Sequence, residues 1–155
     1  MRLRPPDGSW EIRSPDLPER ASVGAVVLRR EGEGWRVAVV VEPGEYFQLP
    51  KGGLEPGETH EEALHRELRE EAGLSRVRLL ADLGVLERQN YARTRWQVTR
   101  YFLGVTGEVG GPPLEPGFRL EWHSLDAVPP LFWPQQGEVV ARVRQNLEGG
   151  GYDLA

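Results

Sequence analysis

Three carboxylates, Glu67, Glu70 and Glu71, stand at i, i+3 and i+4, a spacing that on a helix projects them from one face. At about 5 Å and an effective dielectric near 20, each pair of like charges costs roughly 3 kcal/mol before relaxation. Such a face needs positive charge. Arg66 and Arg69 supply part of it. A hard cation such as Mg²⁺ supplies more, because it takes oxygen donors and keeps positions open for water and substrate phosphates. Just ahead runs Pro50-Lys51-Gly52-Gly53-Leu54-Glu55-Pro56-Gly57-Glu58, whose glycines let the backbone turn tightly and approach a ligand. The amides of Gly52, Gly53 and Gly57, with Lys51 as a point charge, suit phosphate oxygens. Of 19 basic residues 18 are arginine, and the single lysine is this Lys51. The chemistry implied is a phosphate-bearing substrate clamped between a cationic loop and a metal-loaded helix.

The elements around this stretch follow from pattern. Residues 59–72 read as a helix, with Thr59 and Glu62 forming a capping box and Gly73 a stop. Leu64, Leu68 and Ala72 make an apolar stripe beside the carboxylates, which presses the helix onto a sheet. Residues 21–28 and 35–41 read as strands around a turn, and 46–49 as a short third strand. Lys51 to Gly57 reads as loop. Further strands are expected at 77–87, 96–105 and 118–122, with a closing helix at 138–147. This order predicts an α/β sandwich with a mixed β-sheet. Residues 1–20, with four prolines, read as an N-terminal arm or added strand, 21–148 as the domain, and 149–155 as a flexible tail.

From Gly52 to Leu74 the chain reads G-x5-E-x7-R-E-U-x-E-E-x-G-U, with U aliphatic, and Gly52, Glu58, Arg66, Glu67, Leu68, Glu70, Glu71, Gly73 and Leu74 fill the specified positions. This resembles a complete Nudix box, the signature of the MutT-like pyrophosphohydrolases. The resemblance implies an α/β/α sandwich and hydrolysis, with Mg²⁺ or Mn²⁺, of a nucleoside diphosphate linked to another moiety. It implies Glu70 and Glu71 as main metal ligands, joined by Glu67 and the Gly52 carbonyl. Glu67 is also the implied base for the attacking water, with Arg66 orienting it, so Glu67, Arg66 and Glu70 form the expected catalytic set. Glu58 is expected to brace the loop by pairing with Arg66. A further metal carboxylate is expected from the loop before the penultimate strand, at Glu115 or, alternatively, Glu121.

Two features outside the box bear on the substrate. Leu49-Pro50-Lys51-Gly52 resembles the corresponding start in dinucleoside polyphosphate and diphosphoinositol polyphosphate hydrolases. Tyr91, 17 positions after Leu74, stands where the dinucleoside polyphosphate branch tends to carry a tyrosine. A tyrosine there can stack on adenine, or simply pack on the sheet. Arg88, Arg93 or Arg95 can meet the remaining phosphates beside Lys51 and Gly53. Trp133, next to Phe132 and Pro134, is a candidate wall for a base pocket. The ADP-ribose branch tends to carry a proline where this chain has Gln89, which counts against that substrate. Oxidised dGTP and inositol pyrophosphates remain alternatives, as does a non-catalytic nucleotide sensor.

Composition bounds the rest. The 155 residues suffice for one domain with a real core. Net charge −5 and a pI near 5.3 build no basic stripe for nucleic acid. Without cysteine there is no disulfide or thiolate chemistry. His60 and His65, five apart, point to different helix faces and make no zinc pair. The longest apolar run, Val37–Val41, is far short of a membrane span. The expectation is a cytoplasmic, Mg²⁺-dependent pyrophosphohydrolase acting on a small nucleotide, dinucleoside polyphosphates first, with no nucleic-acid or membrane partner.

Overall fold

Two helices cover opposite faces of one seven-stranded mixed sheet. The computed structural model describes residues 2–154; Met1 of the arm and Ala155 of the tail lie outside the described residues. Strands β1 (Glu19–Glu31), β2 (Gly34–Glu42), β3 (Tyr46–Gln48), β4 (Lys51–Gly53), β5 (Arg78–Gln89), β6 (Trp96–Val105) and β7 (Arg119–Ser124) accompany helices α1 (His60–Ala72) and α2 (Pro134–Glu148). The main path is β3-β2-β1-β6-β5, with β4 added to β1 and β7 to β2. Among the described residues only β1 and β6 run parallel; the other pairs are antiparallel.

The apolar runs of β1 and β2 are continuous because both their faces are covered. Val23, Ala25, Val27, Ala38 and Val40 point to α1 and meet Leu64, Leu68 and Ala72. The intervening Val26, Leu28, Val37 and Val39 point to α2 and meet Val139, Val140 and Val143. Successive strand residues thus feed two cores, as a period of two requires. That is an α/β/α sandwich.

The elements expected from sequence are present, with two differences. Lys51–Gly53, expected as loop, is strand β4, because Ser22, Val23 and Gly24 of β1 pair with it in register. The last helix starts four residues early, at Pro134, where a proline fits the first turn because its missing N–H has no intrahelical partner there. The arm holds a 3-10 turn, Gly8–Glu11, and residues 19–20 already belong to β1. No helix among the described residues is long and apolar enough to cross a membrane.

Candidate active site

Helix α1 begins on a complete capping box: Thr59 Oγ1 accepts from the Glu62 N–H, and the Glu62 carboxylate accepts from the Thr59 N–H. It ends where Gly73 adopts a left-handed conformation, φ 64°, which a side chain disfavours. The last turn leaves orphan carbonyls, and the loop carrying Glu115 takes two of them. The Gly111 N–H donates to the Gly73 carbonyl at 3.0 Å and the Glu115 N–H to the Glu70 carbonyl at 2.9 Å. Burial is what chiefly raises the Glu67 carboxyl, and the charge of Glu115, brought near by this docking, adds a smaller push in the same direction. Glu121, on β7, is instead paired with Arg119 and His123.

Arg66 organises the carboxylates. Its guanidinium holds Glu58 through two nitrogens, each at 2.8 Å, and reaches Glu67 at 2.8 Å and Glu70 at 3.3 Å. A fifth bond, 2.9 Å, goes to the Gly53 carbonyl, so one side chain ties helix to loop. The charge-assisted fork with Arg66 holds the Glu58 carboxyl down at about 2. Gly52 must lack a side chain, since a Cβ there would collide with the Glu67 carboxyl. Its carbonyl accepts from Ser22 Oγ at 2.9 Å.

Glu71 lies behind this cluster, buried, and accepts from the Lys51 N–H at 2.9 Å. Burial pushes its carboxyl up to about 8, opposed by that N–H and the Lys51 ammonium and reinforced by Glu67 and Glu42. Burial also raises Glu67, against the pull of Arg66. Lys51 is lowered, first by burial and then by Arg88. These are desolvated oxygens short of positive charge. As a donor set they fit a hard divalent cation, although among the described residues no three acidic or histidine side chains are already gathered as a cage.

Lys51 and Arg88 also line a cavity of about 210 Å³ whose walls include Tyr46, Tyr91, Phe132 and Trp133. The Arg88 guanidinium lies 3.4 Å over the Trp133 ring, and burial lowers its pKa to about 10. Tyr91 stacks on Trp10 at 5.3 Å with an 18° interplanar angle, so one ring face is covered by the N-terminal arm. Arg95 sits in the β5–β6 turn with its guanidinium on the Thr94 carbonyl, outside the residues lining this cavity.

Three participants went unnoticed in the sequence. Arg20 lies over Gly53, where a Cβ would collide with its guanidinium, and has no ion pair among the described residues. Gln136, fully buried on α2, accepts from the Leu49 N–H and donates to the Tyr101 hydroxyl, pinning the approach to Lys51. Trp10 clamps Tyr91. Each acts across 33 or more residues of sequence, and no local pattern signals such a pairing.

The family model of the NUDIX domain matches residues 18–143. The chain belongs to the Nudix hydrolase family. Among curated relatives, the RNA pyrophosphohydrolase of Rhizobium meliloti is 34% identical, over 76% of this chain and 86% of that protein. The RNA pyrophosphohydrolase of Agrobacterium fabrum is 30% identical, over 85% of this chain and 93% of that protein. The fold is shared with a C. elegans Ap4A hydrolase in binary complex, TM-score 0.70 at 19% identity, covering 84% of this chain and 98% of that one. It is shared too with the NUDIX domain of Shewanella oneidensis NrtR complexed with ADP ribose, TM-score 0.68 at 18% identity, covering 87% and 94%. This Nudix chain is a pyrophosphohydrolase, and enzymes of the family generally use divalent metal ions.

Proposed function

We propose that this Nudix enzyme hydrolyses, with Mg²⁺, a phosphoanhydride bond in dinucleoside polyphosphates. The observation that carries the reading is the junction at Lys51. On one side its backbone is held by the desolvated Glu71 of the carboxylate helix; on the other its side chain lines an aromatic-walled cavity. A polyphosphate chain fits across that junction with a base among the rings.

Glu67, Glu70 and Glu71, with the Gly52 carbonyl and with Glu115 nearby, would hold Mg²⁺ or, in its place, Mn²⁺. When bound, the ion lowers the pKa of water and stabilises charge on phosphate oxygens. The Glu67 carboxylate takes the proton of the attacking water, and Arg66 fixes that carboxylate while bracing Glu58. Lys51, the Gly53 amide and Arg88 bind phosphate oxygens, with Arg95 at the rim for a longer chain. Arg20, poised over Gly53, adds a further cation beside strand β4.

A second reading rests on the relatives at 34% and 30% identity, both named RNA pyrophosphohydrolase. It takes the 5′-triphosphate end of RNA as substrate. The acidic pI argues against binding a long tract, where many phosphate contacts are needed; it does not argue against reading one end. Competition between diadenosine tetraphosphate and a short 5′-triphosphorylated RNA, with Mg²⁺ and product analysis, separates the two. Higher kcat/KM on the dinucleotide supports the first; release of pyrophosphate from RNA at higher kcat/KM establishes the second.

A further inference from the structure

Three buried side-chain polar atoms among the described residues lack a hydrogen-bond partner, and two of them belong to residues that line one cavity. They are Oε1 of Gln48, on β3, and Oε1 of Gln97, on β6. The third, Arg29 Nε, lies elsewhere, under the Trp122 ring. An unpaired buried carbonyl oxygen is unfavourable in the ligand-free protein. Its retention at two places on one wall needs an explanation.

Among the cavity's other neutral side chains, both phenols and Asn90 are already engaged, while the Trp133 indole N–H is not. The Tyr46 hydroxyl accepts from the Leu3 N–H at 2.8 Å, and the Tyr91 hydroxyl donates to the Arg4 carbonyl at 3.0 Å. Asn90 holds its own turn through Thr94 and Arg95. Both phenols are thus occupied by an N-terminal strap that crosses the cavity mouth. Arg2 anchors it to the carbonyls of Gly44 and Glu45, and Arg93 anchors it through Ser9. Glu45 and Arg93 are the two non-glycine residues with left-handed backbone among those described, so both anchor turns hold a strained conformation. The strap makes an outer wall, and the side chains inside without a hydrogen bond among the described residues include the two carboxamides and the Glu42 carboxylate, beside the cations Lys51 and Arg88.

Chemistry decides which part of a ligand they meet. Carbonyl oxygens repel phosphate, and the cations for phosphate, Lys51 and Arg88, are also in this cavity. At about 210 Å³ the space is smaller than the roughly 300–1,000 Å³ of a whole-ligand site, which suits one flat ring between aromatic walls. A glutamine pairs well with a base edge that offers an amino donor.

We propose that Gln48 and Gln97 read the exocyclic amino group of a nucleobase seated behind the N-terminal strap, and so set the base specificity of this enzyme. The inference rests on the nucleotide reading above and adds the recognised group. The test uses the full chain and four probes: AMP against purine riboside 5′-monophosphate, which lacks the 6-amino group, and GMP against IMP, which lacks the 2-amino group. Affinities are taken by calorimetry for the wild type, Gln48→Met, Gln97→Met and the double variant. In the wild type at least one amino-bearing member binds on the order of tenfold or more tightly than its partner. In the double variant that ratio falls to within about twofold, while Tm is no lower than that of the wild type. Equal binding of both pairs by the wild type, or an unchanged ratio in the double variant, overturns the proposal. So does discrimination that follows a 2′-deoxyribose substitution instead of the amino group. Hydrolysis of dinucleotides without amino discrimination sinks this inference alone. Amino discrimination by a protein that hydrolyses neither dinucleotide nor RNA upholds it and sinks the substrate reading; a wild type that binds none of the four monophosphates overturns this inference.

Discussion

The two ends of the site are built by opposite rules. At the α1 end almost every charge is committed: Arg66 alone bonds Glu58, Glu67, Glu70 and the Gly53 carbonyl. At the cavity end two buried amide oxygens stand without partners, and Arg88 rests on an aromatic ring with no ion pair among the described residues. The first arrangement holds its oxygens in fixed places, at a cost where burial raises Glu67 and Glu71. The second lowers stability slightly and leaves groups free for a ligand. Positioning for chemistry and openness for recognition thus lie on either side of Lys51.

The sharpest break of that contrast is Glu67→Gln or Glu70→Gln. Each is expected to lower kcat by about 10²–10⁴-fold, the usual range for a lost proton-transfer or charge-stabilising group, while leaving the affinity for a nucleoside monophosphate within about twofold. Loss of monophosphate binding would mean that the two ends are one unit.

Arg66→Ala strikes the committed network. It leaves Glu58, Glu67 and Glu70 facing one another, and a stability loss of about 3 kcal/mol is expected, as for breaking a largely buried charged network, read as the midpoint of urea unfolding. Arg66→Lys should restore little, because an ammonium cannot make the fork to Glu58.

The pH response distinguishes the ends again. Glu71 titrates at about 8 in the folded chain against 4.5 for the ordinary carboxyl. The folded value is the raised one, so this group's contribution is fully present below about 4.5 and is lost as pH rises through about 8. Metal-free protein should lose stability across that window, by at most about 1.4 kcal/mol per pH unit from this group. Added Mg²⁺ should flatten or reverse the trend, because it binds the ionised form. Thermal melts from pH 5 to 8.5, with EDTA and with Mg²⁺, measure it; an identical slope in both would remove Glu71 from the proposed metal site.

The smallest expected effect is at the strap. Trp10→Ala unclamps Tyr91 and should raise KM about tenfold with kcat within twofold, since it changes binding and leaves the carboxylates in place. A fall in kcat at constant KM would instead tie the strap to the chemistry.

Much of this was legible from residues alone because it is local. The spacing of Glu67, Glu70 and Glu71, the Thr59–Glu62 cap and the Gly73 stop all lie within one helix and its ends. There the 3.6-residue period turns sequence distance directly into direction. The Glu58–Arg66 pair, eight residues apart, came instead from the resemblance to the Nudix box, and it forms as expected. The strand order of the chain, read from apolar runs and turns, led to the right layers for the same reason. The β-strand at 51–53 was hidden because three residues of Lys and Gly carry no strand signal; pairing with β1, some 30 residues away, creates it.

What the sequence by itself determined, then, is the family, the layered fold and the carboxylate helix with its loop, since each is encoded in short-range spacing and hydrophobic period. Only the tertiary structure decided who shares the cavity. Leu3, Gln48, Arg88, Gln97 and Phe132 come from the arm, three different strands and the approach to α2. They meet because strand register and the strap's anchors bring them together. No periodicity relates residues that distant, and whether Gln48 and Gln97 find partners depends on how neighbouring groups are already spent.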